Sequence, residues 1–134
     1  MLQFTHKLRV RYADTDRMGY VYYGNYATYF EVARVEMLRN LGISYRDLED
    51  SGVMLPVLEY QTKFFNPAYY DENITIKVEV RELPSVRITF HYKAYNEKGK
   101  QLNTAYTTLV FVDVKTGKPT KPPEDLISKF KPYF

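Results

Sequence analysis

The sequence predicts an α+β fold in which a curved antiparallel sheet wraps around one long helix. Three observations predict it: an alternating strand at the start, a single long apolar helical stripe, and a two-residue hydrophobic period that holds over most of the second half. Consecutive strands without interleaved helices rule out a parallel sheet, so the lone long helix must bury its stripe against that antiparallel sheet.

The first strand alternates Phe4, His6, Leu8, Val10 and Tyr12 with Thr5, Lys7, Arg9 and Arg11. A loop from Ala13 to Gly24 follows, with Gly19 and Gly24 where tight turns cost least. Asn25 reads as a helix N-cap. Beyond it Tyr26, Tyr29, Phe30, Ala33, Met37 and Leu41 recur on one helical face, and Gly42 stops the helix. Ala27, Val32, Val35 and Leu38 lie off that stripe, which predicts cover on more than one side. Ser44 caps a short second helix ending near Gly52.

Leu55 to Phe65 reads as a strand disturbed at its start by Pro56. Ile74, Ile76, Val78 and Val80 mark the next strand, and Val86, Ile88, Phe90, Tyr92 and Ala94 the one after it. Asn96-Glu97-Lys98-Gly99 is a hairpin turn. Leu102 to Val114 reads as one long strand, apolar on both faces toward its end and therefore central or covered by another subunit. A terminal helix is expected over Glu124 to Phe130.

At 134 residues and 45% hydrophobic content, residues 1–134 read as a single domain with a substantial core. The absence of cysteine excludes disulfides, thiolate nucleophiles and cysteine zinc sites, and fits a reducing cytoplasm, the expected location. Met1 to Lys7 has no apolar h-region, and no apolar run is long enough to span a bilayer. A net charge of +3 suits an anionic small molecule and is too weak to argue for nucleic acid. Fourteen tyrosines and no tryptophan favour half-buried strands and subunit interfaces.

The chemistry concentrates in Arg11 to Tyr26, where Asp14 and Asp16 precede the start of the long helix. Unpaired N–H groups and the dipole at a helix start polarise a carbonyl, and a nearby carboxylate supplies a nucleophile or base. Asp16 is the functional carboxylate in this reading, and Asp14 a brace that holds the turn. Glu31 and Arg34, three apart on the helix, read as a structural pair. His6 and His91 stand in no metal-binding spacing, so no metal site is expected.

Tyr12-x-Asp14-Thr15-Asp16-x-x-Gly19-x-Val21-Tyr22-Tyr23-x-Asn25-Tyr26, followed by Phe30-Glu31-x-Ala33-Arg34, resembles the hotdog-fold acyl-CoA thioesterases. The branch it resembles is the 4-hydroxybenzoyl-CoA thioesterase family with its Tol-Pal-associated relatives. The resemblance covers nearly the whole chain, including Tyr60 and the Asn66-Pro67-Ala68 loop. It implies hydrolysis of an acyl-CoA to free acid and CoA, with Asp16 as nucleophile or general base and the Tyr23 backbone N–H on the thioester oxygen. Gly19, Val21, Tyr22, Asn25 and Tyr26 would shape the substrate site. By charge alone Lys63 and Arg87 are candidates for CoA phosphates, against the ordinary reading of a solvated strand face. CoA is part of the substrate, so no cofactor is implied. The family's sites lie between protomers, which implies a homodimer and allows a tetramer. Many Tol-Pal-associated members carry histidine where this chain has Tyr23, but the carbonyl-binding group is backbone.

Two rival readings differ in class. A hotdog dehydratase or hydratase normally uses a histidine with an acid, and no histidine lies in the Asp14–Tyr26 loop. A non-catalytic acyl-CoA or nucleic-acid binding module would use aromatic and basic strand residues, which here are scattered.

Overall fold

The computed structural model describes Met1–Phe134. Strand β1 spans Leu2–Arg9, and helix α1 spans Asn25–Asn40. Helix α2 (Tyr45–Asp50) and the short strand β2 (Val53–Met54) lead into β3 (Val57–Phe64). Strands β4 (Asn73–Val80), β5 (Arg87–Tyr95) and β6 (Gln101–Val110) form the meander that follows. The short strand β7 (Val112–Asp113) and helix α3 (Glu124–Phe130) close the chain.

The five long strands form one antiparallel sheet in the order β1-β4-β5-β6-β3. Cross-strand partners share a face, so Val78, Tyr92 and Ala105 stand in one row, and Ile88 stands opposite Leu109. These side chains meet Tyr26, Phe30, Ala33, Met37 and Leu38 of α1 in a single buried core. Phe30 stacks on Tyr92 at a centroid distance of 4.5 Å, which ties the helix to the middle of the sheet. This is the helix-in-sheet arrangement that the period change predicts, and the hotdog fold that the motif resemblance implies.

Several local expectations hold. Ser44 caps α2, its Oγ accepting the Asp47 N–H at 3.0 Å. The alternation in β4 and β5 matches their burial residue by residue, and α3 has the expected bounds.

Other expectations need correction. Tyr12 is not on the first strand, because the ladder with β4 ends at Arg9 and Tyr12–Asp14 form a 3-10 turn. Asn25 is not the N-cap. Gly24 occupies that position without any side-chain cap, and Asn25 is already helical. The strand expected from Leu55 starts only at Val57, past Pro56, with a bulge between Val57 and Glu59, and the separate short strand β2 ends before it at Met54. The predicted strand to Val114 divides at Phe111, whose N–H turns to the Val86 carbonyl and whose carbonyl accepts from Thr120. Its remainder, β7, pairs with β2 instead.

The cover expected around α1 is also incomplete in one chain. Ala27, Thr28, Glu31 and Val32 face solvent, because a five-stranded sheet reaches only one side of the helix. The edge strand β3 has a free flank, with Val57, Leu58, Tyr60 and Phe64 exposed.

Candidate active site

The site is organised by Asp14, which is 5% exposed. Its Oδ2 accepts the Arg11 N–H at 3.0 Å and the Tyr29 hydroxyl at 2.8 Å, while Oδ1 accepts from the Arg11 guanidinium at 3.2 Å. Burial alone would raise this carboxyl's pKa. The bonds from the Arg11 backbone, Tyr29 and the Arg11 side chain outweigh that effect and hold it below the ordinary value. The same acid pushes the buried Tyr29 phenol upward, with desolvation as the larger cause. Asp14 is the brace that the sequence predicts.

Its backbone carbonyl does as much as its side chain. It accepts the Tyr22 N–H at 3.0 Å and the Asn25 side-chain amide at 2.8 Å. Asn25 therefore ties the loop to the helix start by reaching back, not by capping. The N–H groups of Tyr23 and Gly24, directly ahead of α1, donate to no backbone acceptor. Such orphan donors are the polar groups a helix start offers to a ligand oxygen.

Asp16 sits two residues further along on a tight reversal. The Gly19 N–H returns to the Asp16 carbonyl at 3.0 Å, and the Asp16 N–H donates to the Tyr20 carbonyl at 3.0 Å. Gly19 makes this possible with φ +85°, a conformation that side chains resist. Asp16 Oδ1 accepts the Met18 N–H at 2.9 Å, and Oδ2 has no partner within the chain. A bridge between Thr15 and Val21 closes the reversal, and Val21 is anchored to the Ala68 carbonyl at 2.8 Å.

Asp16 opens on a cavity of about 480 Å³ walled by Tyr20, Tyr22, Tyr23, Tyr26, Phe64 and Phe65. Val21 and Asn66 also line it. Burial pushes the Tyr26 phenol up to about 12, with a smaller push from Glu72, so that wall stays neutral. The structure thus brings Asp16, Val21, Tyr22, Tyr23 and Tyr26 together. Gly19 shapes the loop from outside the cavity, and Asn25 acts through Asp14.

The basic residues separate. The Lys63 ammonium lies 5.9 Å from the ring centroid of Phe65, which lines the cavity, but Lys63 itself does not line it. Arg87 stands opposite Val110, while Lys63 is in the row of Thr104 and Lys93. Six residues of β5 separate these rows, roughly 20 Å of strand, so Arg87 is remote from this cavity within one chain. Glu31 and Arg34 make no ion pair, contrary to expectation. Glu36 pairs with Arg39 instead. His6 and His91 lie on opposite faces of the sheet, in rows with Ile76 and with Glu79 and Tyr106, and neither lines the cavity.

Sequence reasoning missed Tyr29 as a partner of Asp14 and Phe64-Phe65 as cavity walls. The adjacent phenylalanines break the alternation of β3 just before Asn66-Pro67, and that break was the available signal.

A five-stranded antiparallel sheet on one long helix is the hotdog fold, and Asp16 and Tyr23 line one cavity at the start of that helix. A model described as the thioesterase-like superfamily matches residues 10–130, and the chain belongs to that family. It is 31% identical to the acyl-CoA thioester hydrolase YbgC of Escherichia coli over 96% of both chains. It is 32% identical to the putative acyl-CoA thioesterase YneP of Bacillus subtilis, over 84% of this chain and 82% of that protein. Among solved structures, DHNA-CoA thioesterase from Staphylococcus aureus superposes with a TM-score of 0.93 at 33% identity, covering 99% of this chain and 91% of that one.

Proposed function

We propose that this chain hydrolyses an acyl-CoA thioester to the free acid and CoA, with Asp16 as nucleophile or general base. The observation that carries the reading is the shared cavity of the unpartnered Asp16 Oδ2 and the Tyr23 edge of the helix start. The thioester oxygen takes the Tyr23 N–H, where the helix dipole stabilises the negative charge that develops on it. As general base, Asp16 accepts a proton from a water whose oxygen attacks the carbonyl carbon. The C–S bond breaks and the thiolate leaves as CoA. As nucleophile, Asp16 itself attacks, CoA leaves, and water hydrolyses the resulting anhydride. Tyrosine at 23 does not disturb this chemistry, because the donor is backbone.

Lys63 takes a CoA phosphate at this cavity in this reading, which its closeness to the cavity-lining Phe65 supports. Arg87 is left to a substrate seated on a neighbouring protomer. The exposed edge of β3 pairs antiparallel with β3 of a second copy, which satisfies its free backbone groups and forms a homodimer; a tetramer would need a further pairing. The aromatic flank of the cavity then lies at the seam. Residues 1–134 act as one thioesterase domain. No helix is long and apolar enough to cross a membrane, and the cysteine-free composition suits the cytoplasm.

The test is thiol release from a panel of short, long and aromatic acyl-CoAs. With no cysteine in the chain, a thiol-trapping dye counts only released CoA. Asp16→Asn is expected to lower kcat on the order of 10²- to 10⁴-fold while leaving fold and dimer unchanged. Near-wild-type turnover by this variant overturns the role of Asp16.

A further inference from the structure

Arg34 is the one charged residue on the buried side of α1, at 6% exposure. A buried guanidinium is costly unless a carboxylate or several acceptors meet it. Here its Nε donates to the Tyr45 hydroxyl at 3.3 Å, and it takes part in none of the chain's ion pairs. The buried Tyr92 hydroxyl is a second neutral neighbour, and Arg34 lines a cleft of about 190 Å³ between α1 and the edge strand β3. Ala27, Thr28 and Glu31 form the helix wall of that cleft, and Val57 and Tyr60 form its strand wall.

Glu31 is exposed on the rim, one turn from Arg34, yet the two do not bond. The cleft therefore holds a buried cation without an anion beside an exposed anion without a cation. A free anion entering it would meet the repulsion of Glu31. A second copy of the same surface would bring its own Glu31.

The geometry of the edge favours that occupant. Tyr26 contacts Phe64, and Phe30 contacts Tyr60, at centroid distances of 5.6 and 6.3 Å, so α1 lies along β3. Antiparallel pairing of two β3 edges sets the two α1 helices side by side in opposite directions. About a two-fold axis midway between Glu31 and Arg34, each Glu31 stands opposite the partner's Arg34, and the partner's Glu31 opposite Arg34, within reach of a glutamate side chain. In a two-fold interface such a contact forms twice.

We propose that the Arg34 cleft is a carboxylate-binding site whose occupant is the Glu31 side chain of a second copy of this chain. The two reciprocal pairs fix the register of the seam on which the cavities lie. The proposal rests on the β3-edge dimer proposed above and assigns its charged contacts.

The dimer dissociation constant is measured by sedimentation for wild type, Glu31→Gln, Arg34→Gln and the double variant. Each single change is expected to weaken the dimer by about tenfold or more, the low end for close interfacial charge pairs. The double variant is expected to be little worse than the weaker single. Because Arg34→Gln alters a buried position, a second measurement uses mixed cysteine variants. With no native cysteine, oxidising Glu31→Cys together with Arg34→Cys is expected to give more covalent dimer than either alone. Unchanged dissociation in Glu31→Gln, or no excess crosslinking in the mixture, overturns the proposal while a wild-type dimer leaves the edge reading standing. A cleft that instead binds acyl-CoAs bearing a terminal carboxylate, lost in Arg34→Gln with the dimer intact, also overturns it. A monomeric wild type removes the dimer reading and this proposal together.

Discussion

The Tyr29 hydroxyl donates to Asp14 Oδ2 at 2.8 Å inside the protein, and this bond links the long helix to the loop that carries Asp16. The Asp14 carbonyl in turn holds Tyr22 and Asn25, the residues on either side of the two unpaired N–H groups. The proposed carbonyl-binding edge is therefore aimed by a residue that does not touch the cavity.

Tyr29→Phe removes one donor to a buried carboxylate and nothing else. Stability is expected to fall by about 1.5–3 kcal/mol in urea unfolding. With the loop less firmly held, kcat should drop roughly ten- to a hundredfold at nearly constant KM. A variant that loses stability but keeps full kcat separates the brace from catalysis.

Asp14 also sets an acid limit on stability. Its carboxyl is held below the ordinary value, so its contribution is fully present above the unfolded pKa of about 3.9 and lost as pH falls through the lower folded value. The stability gap between wild type and Asp14→Asn should stay constant from about pH 8 to pH 5 and close below about pH 4. Urea unfolding across this range measures it.

Asn25 distinguishes bonding to Asp14 from helix capping. A cap would tolerate aspartate, which is as good a capping residue as asparagine. The observed bond needs an N–H donor aimed at the Asp14 carbonyl. Asn25→Asp should therefore be at least as damaging as Asn25→Ala, by about 1 kcal/mol or more in unfolding, with a parallel loss of kcat.

The two loop glycines should fail for different reasons. At Gly19 an added Cβ meets nothing within 4 Å, but φ is +85°, so alanine is expected to cost about 1–2 kcal/mol and to disturb the Asp16 turn. At Gly24 the backbone is ordinary, with φ −65°, but the Cβ would come within 2.7 Å of the Tyr22 ring. Tyr22 is exposed enough to swing aside. Gly24→Ala should thus keep its stability and raise KM, since a cavity wall has moved.

Much of this protein was legible in its residues. The period of β4 and β5, the stripe of α1, the Ser44 cap and the reversal at Gly19 are local patterns, and each formed locally as read. The ordered motif carried the family. Asn25 was misread because a cap and a long-range amide bond use the same side chain at the same place, and only the position of Asp14 decides between them.

The sequence by itself determined the long helix, the main strands, their apolar faces and the two acids that precede the helix, because periodicity and turn chemistry act within a few residues. Only the tertiary structure decided the rest. It placed β3 at the edge, buried Asp14 against Tyr29, brought Phe64 and Phe65 to the Asp16 cavity and left Glu31 apart from Arg34. The reason is physical: an apolar period shows that a face is covered but carries no record of what covers it. The pairing of residues distant in sequence is settled by packing the whole sheet on the helix.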